Sequence, residues 1–112
     1  MSALTSKQCT ELTKNYSALE NNETLKLLQQ LDPQWQLNEQ NRNISYTFKF
    51  KNYYQTMAFV NVIAQIAHQQ NHHPELLVSY NQCNVIYSTH SVDGLSINDF
   101  ICAAKINAAQ NL

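Results

Sequence analysis

Two adjacent histidines followed by a proline, in the stretch NHHPELL at 71–77, are the residues of this chain whose types and spacing best suit chemistry. Neighbours on a strand point to opposite faces, and neighbours on a helix lie well apart around it, so the pair fits neither pattern. Pro74 also favours an extended conformation for His73. We therefore expect His72 and His73 at a corner where one element ends and another begins.

The histidines of the chain suggest proton transfer. All four fall in its middle-to-late part: His68, His72, His73 and His90. Imidazole has an unperturbed pKa of about 6.5, so it can give and take protons near neutrality. No Ser or Cys nucleophile stands beside the histidines, and the single glycine, Gly94, excludes a glycine-rich phosphate loop. The favoured chemistry is elimination or hydration, in which one imidazole protonates a leaving hydroxyl and another removes a proton.

Two other interpretations of the histidines stay open. In the structural one, His72 caps a helix, His73 fills a corner and His90 sits at a strand edge, as isolated histidines usually do. In the metal interpretation, HQQNH places His68 and His72 four residues apart, as in the zinc pattern HExxH. Gln69 replaces the glutamate that acts as general base in that pattern, so a zinc hydrolase is not favoured and no metal site is expected.

Composition bounds the class of protein. The chain has 112 residues, of which 44% are hydrophobic, and this suits one domain, at 21–112, after a polar and partly ordered segment at 1–20. The net charge is -1 and the seven Lys and Arg residues are scattered, so the sequence shows no basic patch of the kind that binds nucleic acid. Three distant cysteines outside any CxxC pattern favour a reducing cytoplasm. No signal sequence or membrane span is expected.

Hydrophobic periodicity predicts the order helix, two strands, helix, two strands, helix. NRNISYTFKF alternates as a strand, and the period becomes helical from Asn52 to about Gln70. LLVSY and CNVIYSTH then form a hairpin, with His90 at the end of its second strand. Ser96 caps the last helix, with Asp99 three residues on. We expect an α+β fold with a four-stranded antiparallel sheet and helices on one face. The hairpin then brings His90 beside the His72 corner.

At this point the residues carry a family likeness. The succession HQQNHHPELLVSY, STH and DGLSINDF resembles the pterin-4a-carbinolamine dehydratases, and the resemblance extends from about Leu28 to Asn107. The combined spacing is specific to that family, whereas a lone His-His-Pro would not be. The matching residues are His68, His72, His73, Pro74, Tyr80, His90 and Asp99, with Gly94, Leu95 and Ser96 as the cap.

The resemblance implies an enzyme that dehydrates 4a-hydroxytetrahydrobiopterin, the product of aromatic amino acid hydroxylases, to the quinonoid dihydropterin and water. It implies no metal or organic cofactor, and assembly into dimers or tetramers. The expected partners are the small pterin substrate and such a hydroxylase in functional coupling, without nucleic acid or membrane.

The resemblance also implies roles for single residues. It gives His72 and His90 the acid and base chemistry, His73 the shaping of the pocket, and Asp99 the orientation of a histidine or a substrate nitrogen. Asp99 can do this and cap the helix only if its two oxygens divide the tasks. The residues expected to bind substrate are His68, Asn71, Pro74, Tyr80, Ser88 and Thr89.

Differences from the family pattern and alternative functions accompany this interpretation. The family often has an acidic residue at His68, an Asp at Asn71 and an Arg at Asn98. Animal members of the family also act as dimerisation partners of a homeodomain transcription factor, so a non-catalytic binding module is one alternative. A dehydratase for another pterin is the second.

Overall fold

The alternation of apolar and polar residues in NISYTFK builds the central part of a sheet in the computed structural model, which describes residues 3–40 and 42–110. Ile44, Tyr46 and Phe48 point into the core, as the period of two requires. The helices are α1 (Asn21–Leu28), α2 (Tyr53–Gln70) and α3 (Ile97–Gln110), and the strands are β1 (Gln36–Asn38), β2 (Asn43–Lys49), β3 (Glu75–Val78) and β4 (Gln82–Tyr87).

The four strands form one antiparallel sheet in the order β1-β2-β4-β3. Ile44 of β2 lies opposite Tyr87 of β4, so the start of β2 is beside the end of β4. Glu75 at the start of β3 lies opposite Ile86. The three segments that meet at this end of the strands are therefore the His-His-Pro corner, the end of β4 and the start of β2.

Helices α2 and α3 cover one face of this sheet. Phe59, Ile63 and Ile66 of α2 and Ile101 and Ile106 of α3 are buried in the core with the inward residues of the strands. The predicted α+β class, with its order of helices and strands, is confirmed. None of the helices in the two described stretches has both the length and the apolar character that crossing a membrane would need.

The end of β4 differs from the prediction. The strand stops at Tyr87, and His90 opens a short 3-10 helix, His90–Val92, instead of ending a strand. The cause is a tight reversal in which Thr89 N donates to the carbonyl of Gly94 at 2.7 Å and Gly94 N donates back to Thr89 O at 3.4 Å. Thr89 is thereby turned into the protein, while His90 stays exposed.

The N-terminal segment lies against the domain in its described part. Leu4 is fully buried, Cys9 N donates to Gln70 Oε1 at 2.8 Å, and Thr10 N donates to Asn98 Oδ1 at 3.2 Å. The polar composition predicted only partial order for 1–20. The buried Leu4, the partly buried Leu19 and these hydrogen bonds attach the stretch from residue 3 to the rest of the domain.

Candidate active site

The end of α2 sets the position of the first histidine of the pair. Asn71 adopts the left-handed conformation, with φ of 51°, and terminates the helix. The amide of His72 still donates to the carbonyl of Ala67 at 3.1 Å, and Pro74 then directs the chain into β3. His72 is therefore fixed at the corner that the sequence predicts.

A short hydrogen bond joins this corner to the first turn of α3. His72 Nε2 lies 2.6 Å from Asp99 Oδ1. The Asp99 side chain is completely buried, whereas 14% of the His72 side chain is exposed. A buried carboxylate needs hydrogen bonds to replace its hydration, so its partners decide whether it can stay charged.

The two oxygens of Asp99 divide their tasks. Oδ1 takes the bond to His72, while Oδ2 accepts from the backbone N of Ser96 at 3.0 Å and from the Thr89 hydroxyl at 2.7 Å. Ser96 Oγ in turn accepts from the backbone N of Asn98 at 3.2 Å, which completes a capping box. Asp99 therefore caps α3 with one oxygen and orients His72 with the other.

The ring of Tyr87 stacks against the ring of His72. The two rings are nearly parallel, at an angle of 15°, with centroids 5.6 Å apart. Tyr87 is fully buried, and burial raises the pKa of its phenol, so this ring stays neutral. Packing on one side and the Asp99 bond on another leave His72 one orientation.

The environment of His72 favours its charged form. Burial alone would lower the pKa of this imidazole, but the hydrogen bond and the negative charge of Asp99 outweigh burial and raise the pKa above the ordinary 6.5. Because Nε2 is bound to Asp99, Nδ1 is the nitrogen that can exchange a proton with a ligand. This is the arrangement of a general acid held ready near neutral pH.

An open cleft with a cavity volume of about 820 Å³ lies in front of His72. Its size is in the range of small-molecule sites. The structure brings seven of the ten predicted site residues to its wall, namely Asn71, His72, His73, Pro74, Ser88, Thr89 and His90. Asp99 lies behind His72, outside the lining.

Two predicted binding residues lie away from this cleft. His68 is exposed on the last turn of α2, and Tyr80 is 63% exposed in the turn between β3 and β4. Neither residue lines the cleft. Tyr80 is separated from the His-His-Pro corner by the length of β3. Asn98 also faces elsewhere, since both polar atoms of its side chain bond to the backbone of Thr10.

Four residues that sequence reasoning did not single out also line the cleft: Asn43, Glu75, Ile86 and Ser91. Glu75 could have been found from its place directly after Pro74. Asn43 depends on the pairing of β2 with β4, which no local pattern shows. Among the described residues, no group of three or more His, Cys, Asp and Glu side chains is arranged to hold a metal ion.

The raised pKa of His72 predicts a pH-dependent contribution to stability. A proton bound more tightly in the folded state stabilises it fully below the unfolded pKa of about 6.5, and this contribution is lost as the pH rises through the higher folded value. We expect His72→Gln to lower the free energy of unfolding more at about pH 5.5 than at about pH 9. Urea unfolding of both proteins at each pH measures this difference, and an equal loss at both would contradict it.

Comparison with known proteins gives one consistent family. The family model described as Pterin 4 alpha carbinolamine dehydratase matches residues 17–109. A protein of Nitrosomonas eutropha is 53% identical over 104 residues, which cover 93% of this chain and 90% of the relative. A protein of Legionella pneumophila is 51% identical over 106 residues, covering 95% and 94%. Both are named "Putative pterin-4-alpha-carbinolamine dehydratase".

Two solved structures have a similar fold. A transcriptional coactivator/pterin dehydratase from Brucella melitensis is 34% identical and superposes with a TM-score of 0.77 over 82% of this chain and 97% of that one. A pterin dehydratase-like protein described as a RuBisCO assembly factor in the alpha-carboxysome is 16% identical, with a TM-score of 0.58 over 88% and 94%. The second likeness shows the fold alone.

Proposed function

The chain belongs to the pterin 4 alpha carbinolamine dehydratase family, and we propose that it converts 4a-hydroxytetrahydrobiopterin to quinonoid dihydropterin and water by histidine acid–base catalysis. In this role it would work in the cytoplasm and would use the carbinolamine that an aromatic amino acid hydroxylase forms. Membership supports the reaction type, and the site supports the assignment of residues.

The observation that carries the proposal is the 2.6 Å bond between His72 and the buried Asp99, at the wall of a cleft that also contains His73 and His90. A histidine with only a packing role needs no buried carboxylate partner. An intact pair in front of a ligand-sized cleft is what acid catalysis requires.

The elimination needs one proton delivered and one removed. In the proposed sequence, His72 gives the proton on Nδ1 to the C4a hydroxyl, which leaves as water when the C–O bond breaks. The lone pair of the adjacent ring nitrogen forms the new C=N bond, and that nitrogen then loses its proton. His90 is exposed and lies at the same cleft, so it is the proposed base.

The remaining lining residues would hold the pterin. Glu75 is the first residue of β3 and Ser88 directly follows the last residue of β4, and both offer hydrogen-bonding groups to an amino-pyrimidine ring, while His73 shapes the wall of the cleft. Thr89 was expected to bind substrate, but its hydroxyl bonds to Asp99 and Ser96, so we assign it to positioning.

A direct assay tests the proposal. The carbinolamine is generated in place by a phenylalanine hydroxylase, and its dehydration is followed by absorbance with and without this protein, in the presence of a chelator. We expect clear acceleration over the spontaneous reaction. The same assay with the carbinolamines of other reduced pterins separates tetrahydrobiopterin from a different physiological substrate.

No acceleration with any carbinolamine would refute the enzyme and leave the alternative, a non-catalytic dimerisation or binding module of this fold. Pull-down of a specific partner that is insensitive to His72→Ala would then identify that role.

Replacement of His90 by Ala tests the second half of the mechanism. Because this variant lacks the proposed base, we expect kcat to fall while KM changes little.

The edge of the sheet supports a proposal of self-assembly into a homodimer or homotetramer. β3 is an outer strand, and Leu77, Val78 and Tyr80 near it are exposed by 68%, 42% and 63%. An open edge with apolar side chains is a surface that natural proteins cover. We expect light scattering to give a mass of two or four chains, and Leu77→Glu to lower it. A monomer at micromolar concentration would contradict this.

A further inference from the structure

Two cysteines from opposite ends of the chain meet directly behind the His72–Asp99 pair. Cys9 Sγ lies 3.6 Å from Cys102 Sγ, although the two residues are 93 positions apart in sequence. Cys9 is partly exposed, whereas Cys102 is completely buried. The third cysteine, Cys83, lies in β4 and is also buried.

Hydrogen bonds hold the two thiols in this arrangement. The backbone N of Cys9 donates to Gln70 Oε1 at 2.8 Å, and the Cys9 thiol donates to the carbonyl of Asn98 at 3.6 Å. Cys102 lies one turn after Asp99 on α3, and its thiol points to the carbonyl of His72 at 3.9 Å. The pair therefore contacts both segments that carry the proposed acid and its partner.

The electrostatics distinguish the two thiols. The hydrogen bond from Cys102 lowers the pKa of Cys9; burial opposes this, and the charge of His72 adds to it. The same contact with Cys9, and then burial, raise the pKa of Cys102. Cys9, the more accessible of the two, is thus the thiol that ionises more readily, and the thiolate is the form that reacts with an oxidant.

We propose that Cys9 and Cys102 are a reversible oxidation site, at which a hydroperoxide such as hydrogen peroxide forms a disulfide next to the His72–Asp99 pair. The Cys9 thiolate attacks one peroxide oxygen, the O–O bond breaks, and hydroxide leaves to give a sulfenic acid. The sulfur of Cys102 then attacks Cys9 Sγ. The S–S bond forms as the S–O bond breaks, and the departing hydroxide takes the Cys102 proton.

The net reaction converts two thiols and one hydrogen peroxide to one disulfide and two waters, and a dithiol reductant reverses it. A disulfide measures about 2.05 Å between its sulfurs, so the thiols need to approach by roughly 1.5 Å. The stretch at 7–20 contains no helix or strand, so it can supply this shift while α3 stays in place.

Oxidation changes the surroundings of His72. A disulfide cannot ionise, so it abolishes the contribution by which a charged Cys9 raises the pKa of His72, and it removes the Cys102 proton that faces the His72 carbonyl. Oxidised protein therefore holds the His72 proton less tightly. In a reducing compartment such a disulfide is transient, which suits a redox-responsive modification rather than a structural bond.

Peptide mapping tests the linkage without any substrate. Trypsin leaves Cys9 in peptide 8–14, but Cys83 and Cys102 share peptide 52–105. The experiment therefore uses a Cys83→Ala variant of the full chain, treated with hydrogen peroxide and then with an alkylating agent. We expect the two peptides to be joined and the intact mass to fall by about 2 Da, with full reversal by dithiothreitol. A Cys9→Ser, Cys83→Ala variant is the matched control and keeps its remaining thiol.

A second readout follows His72 by NMR in reduced and oxidised protein. We expect its titration midpoint to be lower after oxidation and to return with dithiothreitol. Absence of the joined peptides, a link between two chains instead of within one, or an unchanged midpoint in fully linked protein would each overturn the proposal. Neither readout measures dehydration, so failure here is distinct from failure of the proposed function.

Discussion

Replacement of His72 by Ala is expected to lower kcat by roughly 10² to 10⁴, the range that one general acid contributes. The residue is the proposed proton donor, and its loss leaves Asp99 without its bond to the ring. KM should change much less, because the wall of the cleft also includes His73, Ser88 and His90. Steady-state dehydration kinetics measure both constants.

Two controls accompany this result. His72→Gln keeps a side chain that can donate to Asp99 but cannot carry a transferable proton, so it should lose kcat like the alanine variant. It should keep the wild-type circular dichroism spectrum in spite of its lower free energy of unfolding in acid. His68→Ala changes a histidine that lies outside the cleft and should keep full activity. If His72→Gln has the same circular dichroism spectrum as wild type and also full activity, His72 is not the acid of the mechanism.

Replacement of Asp99 by Asn is expected to lower kcat by roughly 10² at neutral pH, through His72 rather than through substrate contact. The carboxylate bond and charge raise the pKa of His72, and without them burial would lower it. Because the acid must be protonated, activity should fall as the pH rises through the His72 pKa. The variant's alkaline limb should therefore lie at lower pH, and its activity should partly recover in acid.

The same substitution should also destabilise the fold. Three donors face Asp99, from His72, Thr89 and the backbone of Ser96, but an amide has one oxygen to accept them and adds two N–H groups of its own. A loss of about 1–3 kcal/mol in urea unfolding is expected. A pH profile that coincides with wild type would show that Asp99 has only the capping role.

The features that the sequence predicted correctly are those set by residues close to one another in the chain. The period of two in β2 and the helical period of α2 are local, and both elements formed where they were expected. The spacing of Ser96 and Asp99 likewise predicted a capping box, which is present. The approach of His90 to the corner needed only the hairpin of β3 and β4.

Features that depend on distant contacts were not predictable. The turn that buries Thr89 arises from its backbone pairing with Gly94, so His90 is not at a strand end. Asn43 reaches the cleft because β2 pairs with β4. The approach of Cys9 to Cys102 depends on how the N-terminal segment runs along α3, and neither spacing nor residue type indicates it.

The most direct test of the account is the NMR titration of the His72 ring in wild type and in Asp99→Asn. The proposed acid requires a midpoint above 6.5 in wild type, because Asp99 outweighs burial, and a midpoint below the wild-type value in the variant. A wild-type midpoint below 6.5, or the same midpoint in both proteins, would contradict the central claim that a buried carboxylate holds His72 ready to donate its proton.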